Sequence, residues 1–128
     1  MLEVNFPTSK DIYIEINGKK LAVIESYKAT SKRESRHIEA FGEDEAVGTI
    51  PGKIKYFVEL SRIYMCGADL NSETDFYSLS DFNLTIVKPD KRILYSGCEW
   101  TQIDESAGIN DTLIEKMSLI AASRMELT

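Results

Sequence analysis

The chain has 128 residues, of which 43% are hydrophobic and 28% charged, and its formal net charge is −6. This composition is typical of one soluble globular domain that buries a sizeable core without metals or disulfides. The acidic balance disfavours a nucleic-acid binder, which normally presents a basic face, and no apolar run approaches the ~20 residues of a membrane span.

Residues 1–10 contain Pro7, Thr8 and Ser9 and show no sustained hydrophobic period. They lack the basic and apolar regions of a signal peptide. We predict an irregular N-terminal arm ahead of a single domain over residues 11–128. An arm that stays ordered needs a surface to lie on, and a neighbouring subunit is one candidate.

Residues 11–16 alternate strictly, with three isoleucines on one face, which predicts a half-buried strand. Asn17-Gly18 follows, and this pair favours the two positive φ values of a type I′ hairpin turn. The pattern predicts a return strand that begins near Lys20 and continues toward Ala29.

Residues 36–41 form a further predicted strand, and residues 42–52 form a predicted loop with three glycines and a proline. Three adjacent acids in this loop do not follow the ligand spacing of a calcium loop. We therefore predict a mobile loop that becomes ordered on assembly. The candidate residues for contacts between subunits are Glu43, Asp44, Glu45, Val47 and Ile50.

The run over residues 53–65 is bounded by the turn formers Pro51-Gly52 and Gly67. With a period of two, one face carries Val58 and Leu60 and is the more apolar, which favours a strand. With a period of 3.6 several of the same apolar residues also cluster, so a helix remains the alternative.

Ser72 followed by Asp75 resembles a capping box, which predicts a short α-helix over residues 73–80. Beyond it, strands over residues 82–87 and 92–104 are joined by a turn that contains Pro89. Gly97 interrupts the second of these strands and predicts a bulge or bend.

The last predicted strand covers residues 111–125 and follows a turn over residues 104–108. Both of its faces carry apolar residues, so we expect both faces to be covered.

Candidate chemical residues are sparse. We interpret His37, the single histidine, as an exposed or cross-strand polar residue. We interpret Cys66 and Cys98 as reduced thiols, with a disulfide between them as the alternative. Trp100 next to Glu99 is interpreted as a core or subunit contact rather than a sugar-stacking platform.

The sequence contains no Gly-rich phosphate loop, no nucleophile elbow and no zinc pattern. We therefore expect no catalytic residues, no cofactor and no metal, and we expect that the protein is not an enzyme.

Three segments carry a resemblance to a known family. They are residues 14–22 (Ile-Glu-Ile-Asn-Gly-Lys-Lys-Leu-Ala), residues 48–57, and residues 97–104 (Gly-Cys-Glu-Trp-Thr-Gln-Ile-Asp) leading into residues 113–119. Together with the order of elements, they resemble the tail tube proteins of contractile-tailed bacteriophages and phage-tail-like bacteriocins, in particular the small Gram-positive prophage type. The resemblance covers about residues 11–125.

The resemblance implies a mainly β fold, a tail tube-like β-barrel or sandwich with one short flanking α-helix. It further implies homohexameric rings that stack into a hollow tube inside a contractile sheath, and ring closure would remove exposed strand edges. The implied partners are other copies of the chain, the tail sheath protein, and baseplate and tape-measure proteins, without a membrane. DNA would pass through the tube only in a true phage, where an acidic lumen would repel its backbone.

The same resemblance implies assembly in the bacterial or host cytoplasm and then a place in the extracellular tail or virion. A ring that initiates or terminates the tube at the baseplate or neck is an alternative role. A binding module that uses Trp100 and the tyrosines is a second alternative. A cell-wall glycan hydrolase with a carboxylate pair is a third.

Overall fold

The computed structural model describes residues 4, 6–65 and 74–128. In these residues the chain forms ten β-strands and one turn of 3-10 helix, Phe76–Ser78. The strands are β1 (Tyr13–Ile16), β2 (Lys19–Lys20), β3 (Ile24–Arg33), β4 (Arg36–Ile38), β5 (Gly48–Ile50), β6 (Ile54–Ile63), β7 (Phe82–Val87), β8 (Arg92–Ser106), β9 (Ile114–Ala121) and β10 (Ser123–Leu127). No helix in this part of the chain is long and apolar enough to cross a membrane.

Eight strands form one antiparallel sheet that folds over on itself along β8. The strand order is β2-β1-β7-β8-β9-β6-β3, and β10 also pairs with β8. The first part of β8 lies between β7 and β10, whereas its second part, residues 99–106, pairs with β9. The result is a sandwich in which β3, β6, β9 and the second part of β8 form what we call the four-stranded half.

The core lies between the two halves of the sandwich and draws on both. Its buried members are Ile14, Ile16, Leu21, Val58, Leu60, Phe76, Phe82, Leu84, Ile86, Ile93, Tyr95, Cys98, Met117 and Leu119. The strand predicted over residues 53–65 is confirmed as β6, with Val58 and Leu60 buried and the intervening Glu59 exposed. The helical alternative for this run is wrong, because Ile54–Ile63 is a strand that pairs with β3 on one side and with β9 on the other.

Gly97 makes the predicted bulge where β8 passes from one half of the sandwich to the other. Its φ is +62°, a Cβ there would lie 2.8 Å from the Cβ of Ala122, and the β7–β8 register shifts beside it. The prediction of a single last strand over residues 111–125 is wrong, because this segment forms two strands, β9 and β10, separated at Ala122. A strand that accompanies β8 around this corner has to turn with it.

Arg62 of β6 and Glu115 of β9 form an ion pair inside the sandwich, and each residue is 4% exposed. Arg62 Nε donates to Glu115 Oε1 at 3.1 Å, and the guanidinium carbon lies 3.6 Å from the centroid of the Phe76 ring. The hydrogen bonds between the two side chains offset part of the cost of removing their charges from water.

The Asn17-Gly18 turn is confirmed, with φ values of +52° and +81°. The single return strand predicted from Lys20 toward Ala29 is wrong. Strand β2 ends after two residues, Val23 adopts a φ of +50°, and β3 then pairs with β6 instead of β1. This left-handed residue redirects the chain from one half of the sandwich to the other.

The short helix predicted over residues 73–80 is smaller in the described residues than the expected α-helix. It is the 3-10 turn Phe76–Ser78, which buries Phe76, and the Asp75 carboxylate accepts a hydrogen bond from the Tyr77 amide at 3.2 Å. Ser72, which the capping-box prediction paired with Asp75, lies outside the described residues. Two residues beyond Leu79, Asp81 has a φ of +44°, so the chain leaves the helical conformation before β7.

Candidate assembly surfaces

A hairpin of 20 residues extends the β3–β6 ribbon beyond the sandwich. We call residues 34–53 the arm, which is distinct from the N-terminal arm predicted over residues 1–10. Strands β4 and β5 pair antiparallel within it, with His37 opposite Thr49. No residue of the arm is buried. The loop predicted over residues 42–52 is therefore wrong at its end, because Gly48–Ile50 forms β5, and the strand predicted over residues 36–41 ends at Ile38.

The arm exposes apolar side chains that have no cover in the monomer. The exposed fractions are 41% for Ile38, 108% for Phe41, 59% for Val47 and 38% for Ile50. Exposed apolar side chains that cluster on one element are characteristic of interaction surfaces. The arm is therefore a candidate contact surface.

The five sequence-predicted contact residues all lie on the arm. Glu43, Asp44 and Glu45 are at its tip, Val47 follows, and Ile50 belongs to β5. The sequence-based prediction missed Ile38 and Phe41, because single apolar residues just before an acidic loop give only a weak signal. Their role in assembly stays a prediction.

The base of the arm is held by close backbone contact. A Cβ at Gly52 would lie 2.0 Å from the Glu34 carbonyl oxygen, so this position accepts glycine only. Arg33 Nε donates to the Gly52 carbonyl at 3.3 Å, and Lys55 Nζ lies 3.5 Å from Glu34 Oε1. These contacts join the two strands of the ribbon where it leaves the sandwich.

A second candidate surface is the pair of outer edges of the four-stranded half. Within the described residues, β3 pairs only with β6, and residues 99–106 of β8 pair only with β9. The half therefore ends on both sides in strands with backbone groups that can accept another strand.

Comparison with solved structures identifies the fold. No family model matches the sequence, and no curated protein matches it. One similar structure is a chain of the sheath/tube terminator, in the extended state, of an extracellular contractile injection system called PVC. The two chains are 14% identical, the match covers 100% of each, and the TM-score is 0.73. The chain has the tail tube fold.

Two further structures show the same tail tube fold. A chain from the tail of an empty gene transfer agent particle, determined with C6 symmetry, is 12% identical over 96% of this chain and 99% of that chain, with a TM-score of 0.71. A chain of the SPP1 tail tube is 9% identical over 94% of this chain and 78% of that chain, with a TM-score of 0.71. The predicted fold class, mainly β and tail tube-like, is confirmed.

In this tail tube fold the four-stranded half has one face on the core and one face away from it, which we call the polar face. The register places the following charged and polar residues on the polar face: Lys28, Thr30 and Lys32 of β3; Lys55 and Glu59 of β6; Lys116 and Ser118 of β9; and Glu99, Gln102 and Asp104 of β8. Lys116 Nζ lies 3.7 Å from Glu59 Oε2, and the amide of Gln102 donates to Asp104 at 2.9 Å. The polar face therefore carries charges of both signs, with Lys28 opposite Glu59 and Lys116 opposite Asp104, whereas Lys32 lies opposite Lys55.

Two further residues singled out from the sequence, His37 and Trp100, make contacts within the chain. His37 is exposed, with Nδ1 3.1 Å from Thr49 Oγ1, as a cross-strand polar residue would be. Trp100 is half-buried and packs edge-on against Tyr77, with the ring centroids 6.2 Å apart, which confirms a packing role.

Cys98 is a free, buried thiol, whereas Cys66 lies outside the described residues. Among the residues that the structure describes, no three His, Cys, Asp or Glu side chains converge as metal ligands would.

Proposed function

We propose that this chain is a structural subunit of a tail-like particle and that its copies form hexameric rings, which stack as the inner tube of a contractile phage tail or phage-tail-like bacteriocin. The observation that carries the proposal is the pair of edges, on opposite sides of the four-stranded half, that no described strand pairs with. Ring closure is the arrangement that pairs every such edge with an identical copy.

The strand directions are compatible with this ring. Strands β3, β6, β9 and β8 alternate in direction. In a ring with a rotation axis, β3 of the next copy is therefore antiparallel to β8 of the first, and the antiparallel sheet continues across the interface. The C6 symmetry of the similar gene transfer agent tail supports six copies. Such a ring has about 24 inner strands and a circumference of roughly 115 Å, at ~4.8 Å per strand.

In this ring the polar face lines the bore, because the other face of the four-stranded half is covered by the core. The polar face carries Lys28, Lys32, Lys55 and Lys116 as well as Glu59, Glu99 and Asp104. This ring has a lumen of mixed charge instead of the acidic lumen suggested by the net charge. Many of the remaining acids are elsewhere, including those at the tip of the arm.

The arm supplies contacts between stacked rings in this proposal. It connects the end of β3 to the start of β6, and none of its residues is buried in the monomer. A neighbouring ring would cover Phe41 and Val47, the two most exposed apolar residues of the arm. Burial of apolar surface would then favour stacking.

The remaining parts of the proposal concern partners and place. The sheath would surround the outer surface of the tube, and baseplate and tape-measure proteins would contact its end and bore. Assembly would take place in the bacterial or host cytoplasm, and the tube would then be part of the extracellular particle. The role is structural and not enzymatic, so purified protein is expected not to hydrolyse peptidoglycan.

The test is electron microscopy of negatively stained, concentrated protein, combined with sedimentation velocity over a range of concentrations. We expect six-fold rings and tubes whose amount rises with concentration. A protein that stays monomeric at all concentrations and salt conditions would contradict the proposal.

A ring that terminates the tube is the second candidate, favoured by the similarity to the PVC sheath/tube terminator over the full length of both chains. A tube subunit adds rings without limit, whereas a terminator stops after one ring. Long tubes in the micrographs support the first role, and single rings that fail to stack support the second.

A further inference from the structure

The two free edges of the four-stranded half carry opposite charges on the polar face. The β3 edge presents Lys28 and Lys32, both exposed. The β8 edge presents Glu99 and Asp104, also exposed. A second copy that brings its β3 beside this β8 therefore meets a complementary edge.

The spacing of the charges on the two edges is the same. Lys28 and Lys32 are four residues apart on a regular part of β3. Glu99 and Asp104 are five residues apart, but the β8–β9 register shifts between Trp100 and Gln102, so their partners on β9 are Ile120 and Lys116, four residues apart. The bulge removes the extra residue from the spacing, and both pairs span roughly 14 Å.

We propose that this match sets the register between neighbouring copies, with Lys28 of one copy opposite Asp104 of the next and Lys32 opposite Glu99. The antiparallel direction brings these two pairs together at once and places Thr30 opposite Gln102. The inference rests on the ring proposed above and adds the residues that align its subunits.

The Lys28–Asp104 pair continues an alternation of charge that exists within one copy, whereas Lys32 of the second pair lies opposite Lys55. Lys28 lies opposite Glu59, Glu59 contacts Lys116 at 3.7 Å, and Lys116 lies opposite Asp104. The next charge around the ring would be Lys28 of the following copy. Asp104 is held in place by Gln102, so part of the ordering needed for the contact is already made in the monomer.

Following the register across the four-stranded half from Asp104 on β8 leads to Ser26 on β3. Ser26 is two residues along β3 from Lys28. Pairing Asp104 with Lys28 of the next copy therefore shifts each subunit by two residues. A stagger of this kind is required to close a sheet into a barrel.

The experiment uses Lys28→Asp and Asp104→Lys, separately and mixed. Glu99 is avoided because its carboxylate accepts hydrogen bonds from Ser80 and the Asp81 amide. Each single variant places like charges at every interface and is expected to raise the concentration needed for half-maximal ring formation by at least about tenfold. An equimolar mixture of the two variants restores opposite charges at every interface when the copies alternate, so we expect ring formation to return.

The mixture separates contacts between copies from effects within one copy, because mixing cannot repair a defect inside a subunit. Circular dichroism and urea unfolding of each variant check that the fold is intact. The control variants Lys19→Asp and Asp90→Lys make the same charge changes on exposed residues away from both edges and are expected to assemble like the original chain.

Two results would overturn the inference while the ring proposal stands: single variants that assemble normally, or folded single variants that fail to assemble even when mixed. If the original chain forms no rings at all, the proposed function itself fails and this inference fails with it.

Discussion

Many large apolar side chains are buried in the sandwich, whereas those in the arm are exposed. Leu60 and Phe82 in the sandwich are fully buried, whereas Phe41 in the arm is fully exposed. The arm continues the β3–β6 ribbon of the sandwich into solvent. The difference predicts that side chains in the sandwich stabilise the monomer, whereas apolar side chains in the arm contribute little to it and would be covered only in the proposed tube.

The largest expected effect distinguishes the two regions directly. Leu60→Ala should lower the free energy of unfolding by about 2–5 kcal/mol, because it leaves a cavity in the core. Phe41→Ala should change the same quantity by less than about 0.5 kcal/mol. Urea unfolding of monomeric protein measures both, and a large loss for Phe41→Ala would show that the arm is packed in the monomer.

The buried ion pair is the next point of comparison. Glu115→Ala removes the carboxylate that contacts Arg62 inside the sandwich and should cost about 3 kcal/mol. Glu45→Ala, which removes an exposed acid from the arm, should have almost no effect on unfolding. A double variant, Arg62→Met with Glu115→Leu, should recover much of the loss, since it removes both charges from the core.

Alanine substitutions at two glycines with positive φ separate the cost of backbone strain from the cost of steric crowding. Gly97→Ala in the sandwich meets the Ala122 side chain in addition to the strained φ of +62°. Gly42→Ala in the arm has a φ of +86° and nothing within 4 Å of the added Cβ. Each should lose about 1–2 kcal/mol from strain, with the larger loss at Gly97. Equal losses in urea unfolding would mean that Ala122 moves aside without cost.

For the proposed stacking of rings, we expect substitutions in the arm to have larger effects than they have on unfolding. Phe41→Ser should leave unfolding unchanged but shorten or abolish the stacked tubes, because the neighbouring ring loses its apolar contact. The matched control is Ile109→Ser, which changes a residue that is 96% exposed outside the arm. Tubes are measured by their length in micrographs, and normal tubes from Phe41→Ser would remove the arm from the stacking contact.

The smallest expected effect concerns Cys98. Burial raises the pKa of its thiol from 9.0 to about 11. Because the native pKa lies above the unfolded one, the stabilising contribution of the neutral thiol is complete below pH 9 and is lost as the pH rises toward 11. In a Cys66→Ser background, a thiol reagent at pH 8 should label the native protein far more slowly than the unfolded protein, and equal rates would contradict the buried position.

Local sequence patterns predicted several elements correctly. Alternation predicted β1 and β6, Asn17-Gly18 predicted its turn, and Gly97 predicted the bulge. Each of these depends on the residue's own φ preference or on the faces of one strand. The predictions failed at Val23 and Ala122, where the chain leaves one half of the sandwich for another, because no local pattern specifies a strand's neighbour.

The candidate surfaces divide in the same way. The acids of the arm were found because they form a run in the sequence, and Phe41 was missed because one apolar residue before a loop gives little signal. Arg62 and Glu115 are 53 residues apart, and the charges of the two free edges lie on strands at opposite sides of the four-stranded half.

By itself the sequence determined that the chain is a mainly β domain, where most of its strands lie and which face of its central strand is buried, since these follow from side-chain periodicity and turn chemistry. Its resemblance to tail tube proteins correctly indicated the fold. Only the tertiary structure decided which strands remain unpaired, that the arm is without cover and that the edges carry opposite charges. These properties depend on which distant segments become neighbours, and that is settled by packing the whole core.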